Sequence, residues 1–150
     1  MKGLPLLALL KRIRPPHRPE GHALGAYRVQ VLDLACRVRD VCDAWDGLRQ
    51  FEPDNARLAN MAAVNRWELL RLLRQLERRR APRMVRNLHR DLSDALSDAA
   101  RAWQLLANGY RFYKSEAVCD GQALLVEAAD AVQGISQELE ARWGPSVLSR

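Results

Sequence analysis

Apolar residues recur at steps of three and four along most of this chain, with polar residues filling the gaps. That is the period of an α-helix with one buried face. The most regular run lies in residues 24–52, where Leu24, Tyr27, Val31, Leu34, Val38, Val41, Trp45 and Leu48 form an unbroken seam. It predicts one long amphipathic helix. The stretch FEPDN then stops it, and Asp54 is placed to cap the next helix by accepting from unpaired N–H groups of its first turn.

A second helix is predicted over about 55–80, with Leu58, Ala62, Leu69, Leu72, Leu73 and Leu76 on one face and Asn65 at the edge of that seam. Ala81–Pro82 breaks it, because proline lacks an N–H and restricts the residue before it. Proline also suits the first position of the helix that follows. That third seam reads Val85, Leu88, Leu92, Leu96, Ala99, Trp103, Leu106, Tyr110, Tyr113 and Ala117. Its period passes straight through Gly109, so the helix is carried to about residue 117, and VCDGQ supplies the turn with Asp120 as the next cap. Leu125, Ala128, Val132, Ile135 and Leu139 mark the fourth helix, which Gly144–Pro145 terminates.

Four amphipathic helices joined by short connections predict an all-α fold, an up-and-down antiparallel four-helix bundle. Residues 4–13 supply a candidate short extra helix. The expected division is an apolar and basic segment with a proline-rich linker over 1–23, the bundle over 24–144, and a tail over 145–150. No repeat recurs at a fixed period, which argues against a solenoid. Composition agrees: 48% of the 150 residues are hydrophobic, 28% are charged, and β-branched and aromatic types are sparse.

Charge changes the picture more than composition does. The net charge is +6, but residues 71–90 hold eight arginines and one acid, while residues 91–150 hold five basic and nine acidic side chains. Such a distribution lets an anionic partner bind at one place without coating the whole molecule. On the second helix, Arg71, Arg74 and Arg78 fall opposite the leucine seam. On the third, Arg83, Arg86 and Arg90 have the same spacing and also lie opposite their seam. Arg79 and Arg80 sit at the turn between these stripes, and Glu77 is the only acid in the block. Like charges at these spacings repel, and Arg83 and Arg86 oppose the dipole of the helix they begin. These eight arginines are the candidate anion- or partner-binding residues. The competing reading is a solvated arginine-rich end, in a chain where arginine outnumbers lysine 21 to 3.

Chemistry beyond charge is sparse. There is no Glu-x-x-His, no zinc-ligand spacing and no glycine-rich phosphate loop. His89 is expected at the boundary of its helix. Asp91, Asp94 and Asp98 share a polar face, where Arg90 can pair with Asp94 and Arg101 with Asp98. The chain is therefore expected to be non-enzymatic, with no catalytic residues, no metal site and no cofactor. The three cysteines are expected to be reduced and mostly buried, as fits a cytoplasmic protein. MKGLPLLALLKRIRPP is not read as a signal peptide, because KRIR stands where small residues should precede cleavage.

The expected function is that of an interaction module, a scaffold or adaptor, whose basic end meets an acidic protein or another anionic surface. A homodimer through a partly exposed seam fits the same pattern, and nucleic acid is a weaker candidate. Two alternatives belong to other classes. One is a sensory bundle holding a small molecule, which needs a cavity around Trp67, Trp103 and Tyr110; Phe112, which lies off the seam, is a further ligand or interface candidate. The other is attachment to a membrane surface through residues 4–14, where LPLLALL precedes KRIR.

Overall fold

The computed structural model describes residues 17–144. It contains helices α1 (His17–Phe51), α2 (Asn55–Arg78), α3 (Arg86–Arg111) and α4 (Ser115–Trp143), with a 3₁₀ turn over Arg83–Val85 and, among the described residues, no strand. The expected segment 4–13 and the tail lie outside the described residues.

The predicted seams meet in one core. Val31, Val38 and Trp45 of α1 join Leu69 and Leu76 of α2, Leu92, Leu96, Trp103 and Leu106 of α3, and Leu125, Val132 and Leu139 of α4. The topology is up-and-down. Arg28–Glu140, Ala35–Gln133 and Trp45–Gln122 are side-chain contacts between α1 and α4, one number rising as the other falls, so these helices run antiparallel. Across the diagonal, Tyr27 meets His89 and Trp45 meets Trp103, so α1 and α3 run parallel.

Packing is uneven. The backbone of α3 approaches α2 and α4 closely along much of its length, whereas α1 stands further from its neighbours. Residue size accounts for this. α3 buries Ala95, Ala99, Ala100, Ala102, Ala107 and Gly109, while α1 reaches the core with Tyr27, Leu34 and Trp45. Small side chains let helix backbones meet; large ones hold them apart.

Four boundaries differ from the sequence-based expectation. First, α1 begins at His17, inside the segment read as a linker; Pro19 falls in its first turn, where a missing N–H costs no intrahelical bond. Second, α2 ends at Arg78, and Arg79 is extended (φ −89°, ψ 131°) rather than helical. Third, the first turn after Pro82 is 3₁₀, and α3 proper starts at Arg86.

The fourth difference is the largest. α3 stops at Arg111 instead of running to 117, and Asp120 lies inside α4 rather than capping it. The Phe112 N–H donates to the Asn108 carbonyl, and the Lys114 N–H donates to the Gly109 carbonyl at 2.8 Å. Between them Tyr113 takes φ 55°. This is a Schellman-type cap with tyrosine where glycine is usual. The turn points Tyr113 outward, 81% exposed, so it is not part of the core seam. Gly109 is required by the same turn: a Cβ there would lie 2.7 Å from Cγ2 of Val118 and 2.9 Å from its backbone nitrogen.

The cysteines are all free thiols, with Cys36 and Cys42 half-buried and Cys119 exposed. Cys119 departs from the expectation of burial because it lies on the outward side of the first turns of α4. Burial, aided by Asp46 and Asp43, pushes the Cys42 thiol up to about 12, which keeps it protonated and unreactive.

Candidate functional site

The connection between α2 and α3 brings the arginine block together at one end of the bundle. Leu76 and Val85, both fully buried, anchor the flanking helices, and the segment between them turns outward. Arg71, Arg74, Arg78, Arg79, Arg80, Arg83, Arg86 and Arg90 are all exposed. The two stripes therefore face solvent on either side of the turn, with Arg79 and Arg80 at its tip.

Their surroundings divide them. Arg71 is held by Glu68: its Nη2 lies 2.6 Å from Oε1, and its Nε donates to Oε2 at 3.1 Å. Arg74 turns its Nε back toward the Leu70 carbonyl at 3.4 Å. For Arg78, Arg79, Arg80, Arg83, Arg86 and Arg90, no carboxylate of residues 21–144 comes within 4.0 Å. The expected Arg90–Asp94 pair is not formed, whereas Arg101–Asp98 is present at 3.6 Å. Local structure adds to the positive potential. Pro82 and Val85 precede the two helical segments without any side-chain cap, and neither first turn contains an acid. The unpaired N–H groups of a helix start favour anions.

Sequence reasoning missed the apolar component of this end. Ala23 of α1 lines a recess with Ala81, Pro82 and Met84, beside Arg80, Arg83 and Arg86. The one signal for it in the sequence is the alternation within RAPRMVR, where Ala81, Pro82 and Met84 lie between arginines but off the helical seam.

One polar pair is partly buried just inside the pole. Tyr27 Oη lies 2.9 Å from His89 Nδ1. Burial pushes the Tyr27 hydroxyl up to about 12. Burial also lowers the His89 pKa, against the opposing pull of Glu77. The contact is a structural tie between α1 and α3.

The aromatic candidates do not converge. Trp103 is fully buried, packed edge-on against Trp45 with ring centroids 5.2 Å apart, and Tyr110 meets the same Trp45 at 5.8 Å. Trp67 instead faces outward from α2, 61% exposed beside Val64 and Met61. Phe112 caps α3 at the end away from the arginines and is also exposed. Trp103 and Tyr110 are core residues filled against Trp45, and Trp67 does not share a cavity with them.

Among the described residues, no three or more His, Cys, Asp or Glu side chains are grouped to hold a metal ion, and no helix is long and apolar enough to cross a membrane. No protein-family model, curated protein or solved structure matches the chain. What the fold defines is a class, the all-α four-helix bundle.

Proposed function

We propose that the protein is a non-enzymatic, cytoplasmic interaction module whose arginine pole binds an anionic partner, with an acidic protein as the best fit. One observation supports this above the others: six arginines crowd the α2–α3 connection, and none has a carboxylate of residues 21–144 within 4.0 Å. Folding does not account for that arrangement. Arg83 and Arg86 sit at the start of a helix, where positive charge is unfavourable, and like charges repel across each stripe. A partner that brings its own anions removes both costs.

The test is charge reversal. Arg74, Arg78, Arg83 and Arg86 changed together to glutamate should leave helicity intact, because all four are exposed. Binding to heparin, to vesicles containing anionic lipid and to partners captured from the native host should be lost. On duplex DNA the stripes diverge enough that three or four contacts are expected, giving a log–log salt slope near about −3. A folded reversal mutant that binds all of these like the wild type would show that the pole is only solvated surface.

A further inference from the structure

The recess at the arginine pole joins two chemistries. Its wall is apolar, formed by Ala23, Ala81, Pro82 and Met84, and Arg80, Arg83 and Arg86 stand around it. Met84 is 53% exposed. It occupies the 3₁₀ turn between the half-buried Pro82 and the buried Val85, so its side chain is presented from a fixed backbone. Arg79 is extended (φ −89°, ψ 131°), and Pro82 at φ −54°, ψ 147° is not helical either.

We infer that this recess takes an acidic peptide segment of another protein. One bulky aliphatic or aromatic side chain seats against Met84, Ala81 and Pro82, and carboxylates on either side pair with Arg80, Arg83 and Arg86. The inference rests on the anion-binding reading and narrows it to one kind of partner.

Charge complementarity selects the occupant. The guanidinium fork matches a carboxylate with two parallel hydrogen bonds. Methionine is flexible and polarisable, and adapts to side chains of differing shape. The chain's own leading residues 1–16 carry four basic side chains and no acid, so charge disfavours them as the occupant. Single-stranded nucleic acid would draw on aromatic rings for stacking, and none of the described residues lining the recess is aromatic. A flat bilayer surface would engage the outer stripes but would not follow a concave wall between them. A peptide uses both components.

The experiment uses the full chain and two labelled peptides with equal numbers of aspartates, one with a central leucine and one with a central serine. Fluorescence anisotropy should show the leucine peptide binding about tenfold more tightly, the scale expected for partial burial of one such side chain. Met84→Ser, which alters an exposed position, should sharply reduce that preference, weakening the leucine peptide more than the serine peptide. Arg83→Gln with Arg86→Gln should weaken both peptides by a similar factor. Equal binding of the two peptides to the wild type would overturn the inference, as would a leucine preference undiminished by Met84→Ser. If heparin or anionic vesicles bind and neither peptide does, the peptide assignment fails while the anion-binding pole stands. If none of these probes binds, the anion-binding reading itself fails.

Discussion

At the end where α1 passes to α2 and α3 to α4, each helix start has one local device: the Asp54 cap for α2, and Glu116 in the first turn of α4, which has no side-chain cap. Asp54 accepts from the Ala56 N–H at 2.9 Å, Glu52 accepts from the Asp54 N–H and pairs with Arg57 at 3.4 Å, and the Lys114 N–H closes the end of α3 on Gly109. At the other end, the α2–α3 connection has no side-chain cap on the helix it starts and no acid in the first turn, yet it gathers most of the arginine block. Both ends join antiparallel helices with a handful of residues. Connecting helices evidently requires no such concentration of charge, so the pole carries a feature that closure of the bundle leaves unused.

The comparison can be broken at its stronger side first. Gly109→Ala places a methyl group against the backbone nitrogen of Val118 and should cost about 1–3 kcal/mol by chemical denaturation. A matching change at the pole, Arg80→Ala, should stay within about 0.5 kcal/mol, since it removes only exposed surface. Comparable losses at both sites would mean that the pole is as tightly built as the opposite end. Next in size, Asp54→Ala removes the cap of α2 and should lower stability by about 1 kcal/mol.

Arg83→Glu should act in the opposite direction, raising the thermal midpoint by an amount corresponding to about 0.3–1 kcal/mol, because an acid replaces a base at an uncapped helix start. A stabilised variant with weakened anion binding would show stability and binding pulling against each other at one residue. The smallest expected effect is a pH dependence. The unfolded chain protonates His89 near the ordinary value of about 6.5, and burial holds the folded value lower. The unfolded state therefore binds the proton first as pH falls, so stability is full above about 6.5 and declines below it. His89→Gln should flatten that part of a stability–pH curve measured between pH 7 and 5.5.

How much of this was legible in the sequence depends on what each feature is made of. The seams were legible because Leu34, Val38, Leu92 and Trp103 repeat at the helical period and burial enforces that period. The end of α3 was not. Its left-handed residue is Tyr113, which costs about 1–2 kcal/mol relative to glycine, so the usual glycine signal is absent and the apolar period runs on to Ala117. The arginine stripes were legible from spacing alone, since exposure follows directly from standing opposite a buried seam. Spacing could not separate Arg71, held by Glu68, from Arg78 or Arg86. Nor could it reveal that Ala23, distant in sequence, comes to lie beside Met84.

The distance that α1 keeps from the other helices has a consequence for motion. Helices α2, α3 and α4 follow one another in the chain and share close backbone contact, so they form a unit built largely from neighbours in sequence. Joining α1 to α4 brings together residues about 100 positions apart, such as Ala35 and Gln133, and few backbone contacts reward that closure. The expectation that follows is a hierarchy of opening, with α1 releasing more readily than the remaining three helices. Amide hydrogen exchange should register this as faster exchange through the middle of α1 than through α3. Because Ala23 belongs to α1, the same release dismantles the recess at the arginine pole, so an occupant of that recess would slow exchange along a helix it touches only near one end.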